Sequence, residues 1–469
     1  MKHPIETNNS NVMDRRTFMQ SSAAWTAGGA LSATLGSRAF SQVGTASAAA
    51  VSVELPRLRV PLSFIIDDST SLVNMGRFCM PQFATAWPER REYDRPWQTW
   101  PTEIPDDFLR RFGEWCAEHH VKGKFSMVPY PACVGWLDRE IPGWSRKQLN
   151  DSLKLVRDLI VPSWDIHPEM ITHTRVIDLK TGRPIAEINS GTMENSFPQE
   201  DKSVDELAAY LAYALRILKN CDLPCEGITT PGGFGNRVKD KLPLAVFEAV
   251  RDVYGTDLPH YFKYIAGGKE STAPRLEAVR ERDSDQPRVT VNVPAGTGDW
   301  FGGWDGVVKS EGEKYANRDA TSGRMVELIE RGEPAVMLCH WPGLYCNGTE
   351  EGLQHFQQVV MALEQRFAST TRWMKISEIG RYWTAKELTK IDARDGSVQL
   401  NAPFACDDFT IKLPAKSVSN VTCRSGSEQH ELTETKSRSQ LSSQQYWIDG
   451  DNIVICFALA RGENKIEIS

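Results

Sequence analysis

Short apolar runs alternate along most of the chain with stretches in which apolar residues recur every three or four positions. The apolar runs predict strands at 58–66, 124–128, 163–167, 227–230, 288–293, 335–339 and 373–376. The spaced patterns predict amphipathic helices at 106–120, 148–160, 204–218, 242–253, 353–367 and 377–388. Alternating strands and helices are typical of a parallel sheet, and strands that are apolar throughout are buried on both faces. The pattern therefore predicts an α/β fold.

For residues 51–390 this pattern favours a distorted (β/α) barrel. An open, doubly wound sheet is less favoured because no glycine-rich dinucleotide fingerprint follows the first strand. Near residue 391 the helical spacing ends, and alternating runs such as 409–413 and 452–455 follow, separated by turn residues. Residues 391–469 are therefore predicted to form a small all-β, sandwich-like accessory domain.

The first 50 residues carry the features of an export signal. Arg15 and Arg16 are followed by an aromatic and an apolar residue, and then by a weakly apolar, small-residue stretch at 23–36. The segment 46–48 offers an Ala-x-Ala cleavage site, and no run approaches the roughly 20 apolar residues that cross a bilayer. The pattern predicts a twin-arginine signal peptide and linker at 1–50, recognised by the twin-arginine export machinery. We expect a periplasmic or secreted protein without a transmembrane span.

The charge balance argues against a nucleic-acid surface. The 469 residues carry a net charge of -7 with a pI near 5.8, whereas nucleic-acid binding needs concentrated Lys and Arg. Tryptophan is abundant, with 14 copies, and indole rings stack on sugar faces as well as in cores. Ten cysteines in so long a chain do not form a dense disulfide framework, so we expect most to be buried thiols.

Polar residues at the ends of two predicted strands are the first candidates for chemistry, because active sites of α/β barrels lie at strand ends. The first strand ends in Asp67 and Asp68, two carboxylates that are costly to bury unless a cation or hydrogen bonds compensate. The third strand leads into His167, Glu169 and His173. Imidazoles and carboxylates together can bind zinc, which lowers the pKa of a bound water.

Two later segments add further candidates. His340 and Trp341 follow the strand 335–339, and Asp299 and Trp300 occupy a glycine-rich loop. We expect Asp299, Trp300 and Trp341, together with Glu169, to contact the substrate.

These elements and their order resemble the polysaccharide deacetylase family, within the superfamily of barrel deacetylases and glycoside hydrolases. The similar parts are the Asp-Asp pair after the first strand, the Asp-Trp element at 299–300 and the Leu-x-His element at 338–340. The resemblance implies a barrel, a general base at Asp67 and a general acid at His340. It also implies a divalent metal, expected to be zinc, bound by Asp68, His167 and His173.

The chain departs from the family's pattern in two places. His167 and His173 lie six residues apart, whereas the family's second histidine follows the first by four. The family's arginine-containing proline motif corresponds at most to 230–233, which has no arginine. Another group must therefore orient Asp67, or the chemistry differs.

The leading hypothesis is an exported, metal-dependent hydrolase that removes acetyl groups from a polysaccharide. One alternative is a glycosidase on the same kind of barrel that uses Asp67, Glu169 and Asp299 as its carboxylates. The other is an exported carbohydrate-binding protein without catalysis, in which the C-terminal domain binds the polymer. Acetate release and new reducing ends distinguish the two enzymes.

Overall fold

A computed structural model describes residues 51–394, 396–415, 417–426 and 428–469. The predicted signal peptide and linker at 1–50 lie outside these residues. The described chain divides into two units, the first formed by Arg59–Thr384 and the second by 51–58 with Ala385–Ser469. Strand β1 (Ser52–Val53) belongs to the second unit because it pairs with a strand formed late in the chain.

Most strands of the first unit form two sheets. In order along the chain the strands are β2 (Val60–Asp67), β3 (Gly123–Ser126), β4 (Trp164–His167), β5 (Ile177–Asp178), β6 (Arg183–Pro184), β7 (Gly227–Thr229), β8 (His260–Phe262), β9 (Arg275–Arg280), β10 (Arg288–Asn292), β11 (Ala335–His340) and β12 (Thr371–Trp373). One sheet has the order β11-β2-β3-β4 with β12 also on β2, and all of its pairs are parallel. The other has the order β7-β8-β10-β9, in which only β9 is antiparallel. The predicted α/β class is confirmed.

The two sheets meet at both edges through a few hydrogen bonds that do not extend into a strand ladder. At one edge Glu169 and Thr229 form an isolated parallel bridge. At the other, the amide of Gly296 donates to the carbonyl of Val336 at 2.8 Å. Within the described residues the strand ladders do not close into a continuous barrel. The predicted barrel is therefore interrupted between the two sheets.

The helices follow the predicted amphipathic segments, with three additions at Met75–Ala86, Arg324–Glu330 and Trp341–Tyr345. They are α1 (Met75–Ala86), α2 (Asp106–Glu118), α3 (Arg146–Leu155), α4 (Val204–Asn220), α5 (Leu242–Tyr254), α6 (Arg324–Glu330), α7 (Trp341–Tyr345), α8 (Glu351–Phe367) and α9 (Ile376–Leu388). Helix α4 begins at a capping box in which the Ser203 hydroxyl accepts from the Glu206 amide at 3.2 Å. Helix α1 was not predicted, because Pro81 lies inside it and proline normally ends a helical pattern.

Aromatic side chains fill the space between the first sheet and its helices. Phe64 of β2 stacks on Phe356 of α8 with ring centroids 4.6 Å apart. Phe112 of α2 packs edge-to-face against Trp341 at 5.2 Å. This packing fixes the strands whose carboxyl ends carry the polar residues described below.

The C-terminal unit consists of β strands. They are β13 (Lys390–Arg394), β14 (Ser397–Ala402), β15 (Cys406–Pro414), β16 (Val421–Ser425), β17 (Glu428–Glu431), β18 (Thr433–Glu434), β19 (Gln445–Asp449), β20 (Asn452–Leu459) and β21 (Gly462–Ile468). Two five-stranded sheets result, with the orders β1-β15-β20-β19-β18 and β13-β14-β21-β16-β17. Along β14, Val398, Leu400 and Ala402 are buried while the residues between them are not. This alternation is what a sheet with one apolar face requires.

Two further properties follow from the described residues. No helix in them has both the length and the apolar character needed to cross a bilayer. All ten cysteines lie in the described chain as free thiols, and all but Cys133 are buried, as the sequence predicted.

Candidate metal centre

Three side chains converge where β2 and β4 end. The ligand atoms of Asp68, Glu169 and His173 all lie within 4.8 Å of one another. His173 Nε2 is 2.7 Å from Asp68 Oδ1 and 3.6 Å from Glu169 Oε1. Oxygen and nitrogen ligands lie about 2.0–2.2 Å from a zinc-sized ion, so neighbouring donor atoms are about 3 Å apart. The spacing and the donor types of these three groups therefore fit a divalent metal.

The backbone near this cluster leaves the extended conformation at three residues. Asp68, Met170 and His173 have φ values of 56°, 54° and 64°. Each such left-handed residue other than glycine costs on the order of 1 kcal/mol or more, and such residues concentrate at functional sites. These turns aim Asp68 and His173 at a common point, which a continuing strand would not do.

Glu194, which no sequence pattern predicted, holds the segment that carries His173. Its carboxylate accepts hydrogen bonds from the amides of Ile171, Thr172 and His173 at 3.1, 2.9 and 2.6 Å. The Tyr210 hydroxyl donates to it at 2.5 Å. Burial raises the pKa of Glu194 to about 7, against the lowering effect of these donors. No local pattern in the sequence marks this residue, because its partners come from two other segments.

The electrostatics of His173 reflect its anionic neighbours. Burial by itself lowers the pKa of His173, but Asp68, Cys79 and Glu169 outweigh burial and raise it well above the usual value. Cys79 comes from α1, and burial raises the pKa of its thiol to about 11 although His173 acts in the opposite direction. Phe83, one turn further along α1, lies 6.2 Å from the imidazole between ring centroids. The unpredicted helix thus covers the candidate centre.

Asp67 contacts a buried lysine rather than an arginine. Lys124 Nζ lies 2.6 Å from Asp67 Oδ1, and it donates to the Ile66 carbonyl at 3.0 Å and to Ser126 Oγ at 2.8 Å. Ser126 Oγ in turn donates to Glu169 Oε2 at 3.0 Å. Lys124 therefore connects the predicted base to the candidate metal centre. A lysine inside a strand of buried residues was the sequence signal that could have identified it.

His340 pairs with Asp299. His340 Nδ1 and Asp299 Oδ2 are 2.7 Å apart, and both side chains are almost fully buried. His340 ends β11 and lies in register with Asp67 on the adjacent strand β2. Asp299 was predicted to bind substrate, and the structure places its carboxylate against the imidazole of the predicted acid, which it orients.

His167 does not join the metal cluster, which corrects the predicted ligand set. Its Nδ1 lies 3.3 Å from Thr229 Oγ1, and its Nε2 lies 2.8 Å from His260 Nε2. Gly227 allows this contact, because a Cβ there would lie 2.7 Å from His167 Nε2. Burial lowers the pKa of His260 to about 4, and burial likewise lowers that of His167 well below its usual value. Both imidazoles are thus part of a buried neutral pair.

Glu169 takes the place expected for His167. It stands four residues before His173, which is the spacing that the polysaccharide deacetylase pattern has between two histidines. A histidine was expected as the second imidazole ligand, and His167 lies outside the cluster. Glu169 was expected to bind substrate, and the structure places it among the candidate metal ligands instead.

The two tryptophans proposed for substrate binding differ in exposure. Trp341 is only 2% exposed and packs against Phe108 and Phe125 as well as Phe112, so its predicted role in substrate binding is corrected to core packing. Trp300 is half-buried and lies 4.9 Å from the Tyr315 ring.

Comparisons with known proteins show only distant similarity. Neither a protein-family model nor a curated protein matches the chain. Among solved structures, the 4-alpha-glucanotransferase from Thermococcus litoralis shares 16% identity over 68% of this chain and 40% of its own, with a TM-score of 0.36. This chain thus spans less than half the length of that enzyme.

Two further structures cover more of their own chains. A CE4 family pseudoenzyme from Bacillus anthracis shares 11% identity over 70% of this chain and 67% of its own, with a TM-score of 0.28. The Thermotoga maritima alpha-fucosidase shares 10% identity over 89% and 97%, also with a TM-score of 0.28. At these TM-scores the similarities carry no argument about function, which must rest on the site itself.

Proposed function

We propose that this chain is a metal-dependent hydrolase that removes acetyl groups from a polysaccharide. The observation that carries the proposal is the convergence of Asp68, Glu169 and His173 beside two further pairs, Asp67 with Lys124 and His340 with Asp299. A metal-binding set, a candidate base and a candidate acid at one edge of a sheet are the parts that acyl hydrolysis needs. The twin arginines at 15–16 support export to the periplasm or beyond.

Asp68, Glu169 and His173 would hold a divalent metal. Such an ion polarises the carbonyl of an acetyl group and lowers the pKa of a bound water. Glu194 keeps His173 in place through three backbone amides, so the imidazole does not have to be ordered when a ligand arrives.

Asp67 is positioned to accept the proton of the attacking water. Its salt bridge to Lys124 fixes the carboxylate in one orientation and replaces the arginine that the polysaccharide deacetylase pattern leads one to expect. His340 would protonate the leaving amine or alcohol at Nε2. Asp299, which contacts Nδ1, holds the ring and stabilises its protonated form.

Aromatic side chains near His173 support a sugar as substrate. Phe83, which faces His173, packs against Trp304 and Tyr93 with ring centroids 5.3 and 5.5 Å apart. Phe83 and Tyr93 are buried, whereas Trp304 is only half-buried. The indole ring of Trp304, supported from behind by Phe83 and Tyr93, is therefore the flat aromatic face that would bind the apolar face of a sugar ring.

The glycosidase alternative has less support from the geometry. Its three carboxylates each have another contact: Asp67 with Lys124, Glu169 with the Asp68 amide and Ser126, and Asp299 with His340. A retaining or inverting glycosidase needs two carboxyl groups facing each other across the glycosidic bond.

Product analysis tests the proposal. The purified protein is incubated with several N- and O-acetylated glycans, and acetate and new reducing ends are measured in parallel. We expect acetate without reducing ends, and we expect Asp67→Asn to reduce acetate release by about 10²–10⁴-fold. Reducing ends without acetate would favour the glycosidase, and glycan binding with neither product would favour the non-catalytic alternative.

A further inference from the structure

The donor set of the candidate centre is richer in oxygen than the sequence predicted. With His167 paired to His260, the cluster contains one imidazole, His173, and two carboxylates, Asp68 and Glu169. Carboxylate oxygens suit magnesium and manganese, whereas imidazole and thiolate ligands suit zinc and copper. The reason for expecting zinc, two imidazoles beside one carboxylate, therefore no longer holds.

The contacts of Glu169 define how it would bind a metal. Its Oε2 accepts from the Asp68 amide at 2.9 Å and from Ser126 Oγ at 3.0 Å, while its Oε1 faces His173 Nε2 at 3.6 Å. One oxygen is thus held by the protein and the other is turned toward the cluster. This arrangement presents Glu169 as a ligand through a single oxygen, held by hydrogen bonds to its other oxygen.

The surroundings compensate the additional negative charge. A carboxylate in place of an imidazole adds one negative charge to a largely buried site, and such a charge is unfavourable unless it is paired or hydrogen-bonded. Lys124, which is also fully buried, supplies a positive charge next to Ser126, the hydrogen-bond donor to Glu169. Glu169 and Lys124 are therefore linked through one serine hydroxyl.

We propose that Asp68, Glu169 and His173 form a site for a hard divalent cation of the manganese and magnesium class, and that Glu169 lowers the ratio of zinc affinity to manganese affinity at this site. The inference rests on the metal-binding part of the proposed function but not on the reaction. The relevant quantity is the ratio of zinc to manganese affinity, because zinc binds most protein sites more tightly than manganese in absolute terms.

Metal titrations of the full chain test this inference without any substrate. The purified protein is freed of metal with a chelator. Manganese binding is then followed by electron paramagnetic resonance, and zinc binding by competition with a chromophoric chelator. The same titrations are made on Glu169→His, which introduces a second imidazole into the cluster. Glu330→His, which adds a histidine on the exposed face of α6, is the control. We expect the zinc-to-manganese ratio to rise by about 10-fold or more in Glu169→His and to stay at the wild-type value in Glu330→His.

A second variant keeps the test decisive if Glu169→His does not fold. Glu169→Gln keeps the size of the side chain and removes its charge, and we expect it to weaken manganese binding more than zinc binding. Equal ratios in the wild type and both Glu169 variants would overturn the inference, as would a wild-type protein that binds zinc but no manganese. An active zinc deacetylase would leave the proposed function intact and reject the metal preference. A protein that binds manganese but releases no acetate would support the metal preference and reject the proposed function.

Discussion

Lys124 Nζ and Asp67 Oδ1 lie 2.6 Å apart, and neither side chain is exposed to solvent. A buried salt bridge is weak evidence for stability, because removing two charges from water costs about as much as their attraction returns. Charged pairs that are unfavourable to bury are common at functional sites. Asp67 directly precedes the candidate ligand Asp68. This position supports a role for Lys124 in orienting Asp67 as the base.

Replacing Lys124 by Met should reduce turnover by about 10²-fold or more while metal remains bound, because Asp67 loses its orienting partner. The variant should also lose on the order of 3–5 kcal/mol of unfolding free energy, because it leaves a buried carboxylate without its cation. Turnover is measured by acetate release under conditions where circular dichroism shows folded protein, and metal by elemental analysis.

Two controls accompany this measurement. Lys122→Met removes a partly exposed lysine that contacts Glu378 at 3.1 Å, and it should change turnover and stability little. Lys124→Arg keeps the charge and should recover part of the turnover. A Lys124→Met protein that is folded and fully active would show that Lys124 does not position the base.

Asp67 and Asp68 are adjacent, but their substitutions should have different effects. Asp67→Asn keeps the shape of the side chain and removes the base, so turnover should fall by about 10²–10⁴-fold with metal retained. Asp68→Asn should weaken metal binding instead, because a neutral amide is a poorer ligand than a carboxylate. Acetate release and metal titration on both variants separate the two roles. If both variants keep full turnover and are only less stable, Asp67 and Asp68 have a structural role at the end of β2 and no catalytic one.

Asp299→Asn should lower turnover without affecting metal content. The amide no longer favours the protonated His340 ring, so protonation of the leaving group should slow by about 10²-fold or more. Asp165→Asn is the matched control, because Asp165 also has a buried carboxylate but contacts Ser377 rather than His340. Equal turnover in the two variants would argue against His340 as the general acid.

His260 should make the stability of the protein depend on pH. Burial lowers the pKa of His260 from 6.5 to about 4, and the groups acting on it are His167, Asp165, Glu226 and Arg381. The folded protein therefore holds this ring neutral while the unfolded chain protonates it below about pH 6.5. The stabilisation is fully present above pH 6.5 and is lost as the pH falls toward 4. Its size is on the order of 3 kcal/mol.

Urea denaturation of the wild type and His260→Gln at pH 7.5 and pH 5 measures this effect. We expect the wild type to lose more stability than the variant between the two pH values. His430→Gln, which replaces an exposed histidine beside Glu428, should behave like the wild type. Parallel losses in the wild type and His260→Gln would contradict the assignment of His260 as a buried neutral base.

The positions of the main elements could be predicted from the sequence because periodicity is a local property. Every strand and helix predicted in the first unit overlaps an observed element, and α4 begins at its capping box. The polar residues at strand ends could be predicted as well, because the end of an apolar run is visible in the local sequence. Carboxyl ends of parallel strands meet at one edge, so Asp67, Asp68 and His340 were expected together.

Only the tertiary structure decided which of these side chains converge. The left-handed backbone conformations at Asp68 and His173 interrupt the alternation of side-chain directions that an extended strand would continue. The choice between His167 and Glu169 therefore depended on the contact of His167 with His260, 93 residues further along the chain. Lys124 was predicted only as the first residue of a strand. Its partner Asp67 lies on another strand, and the direction of a side chain cannot be read from its own strand alone. Local sequence thus determined where chemistry was available, and packing between distant segments determined which groups form the site.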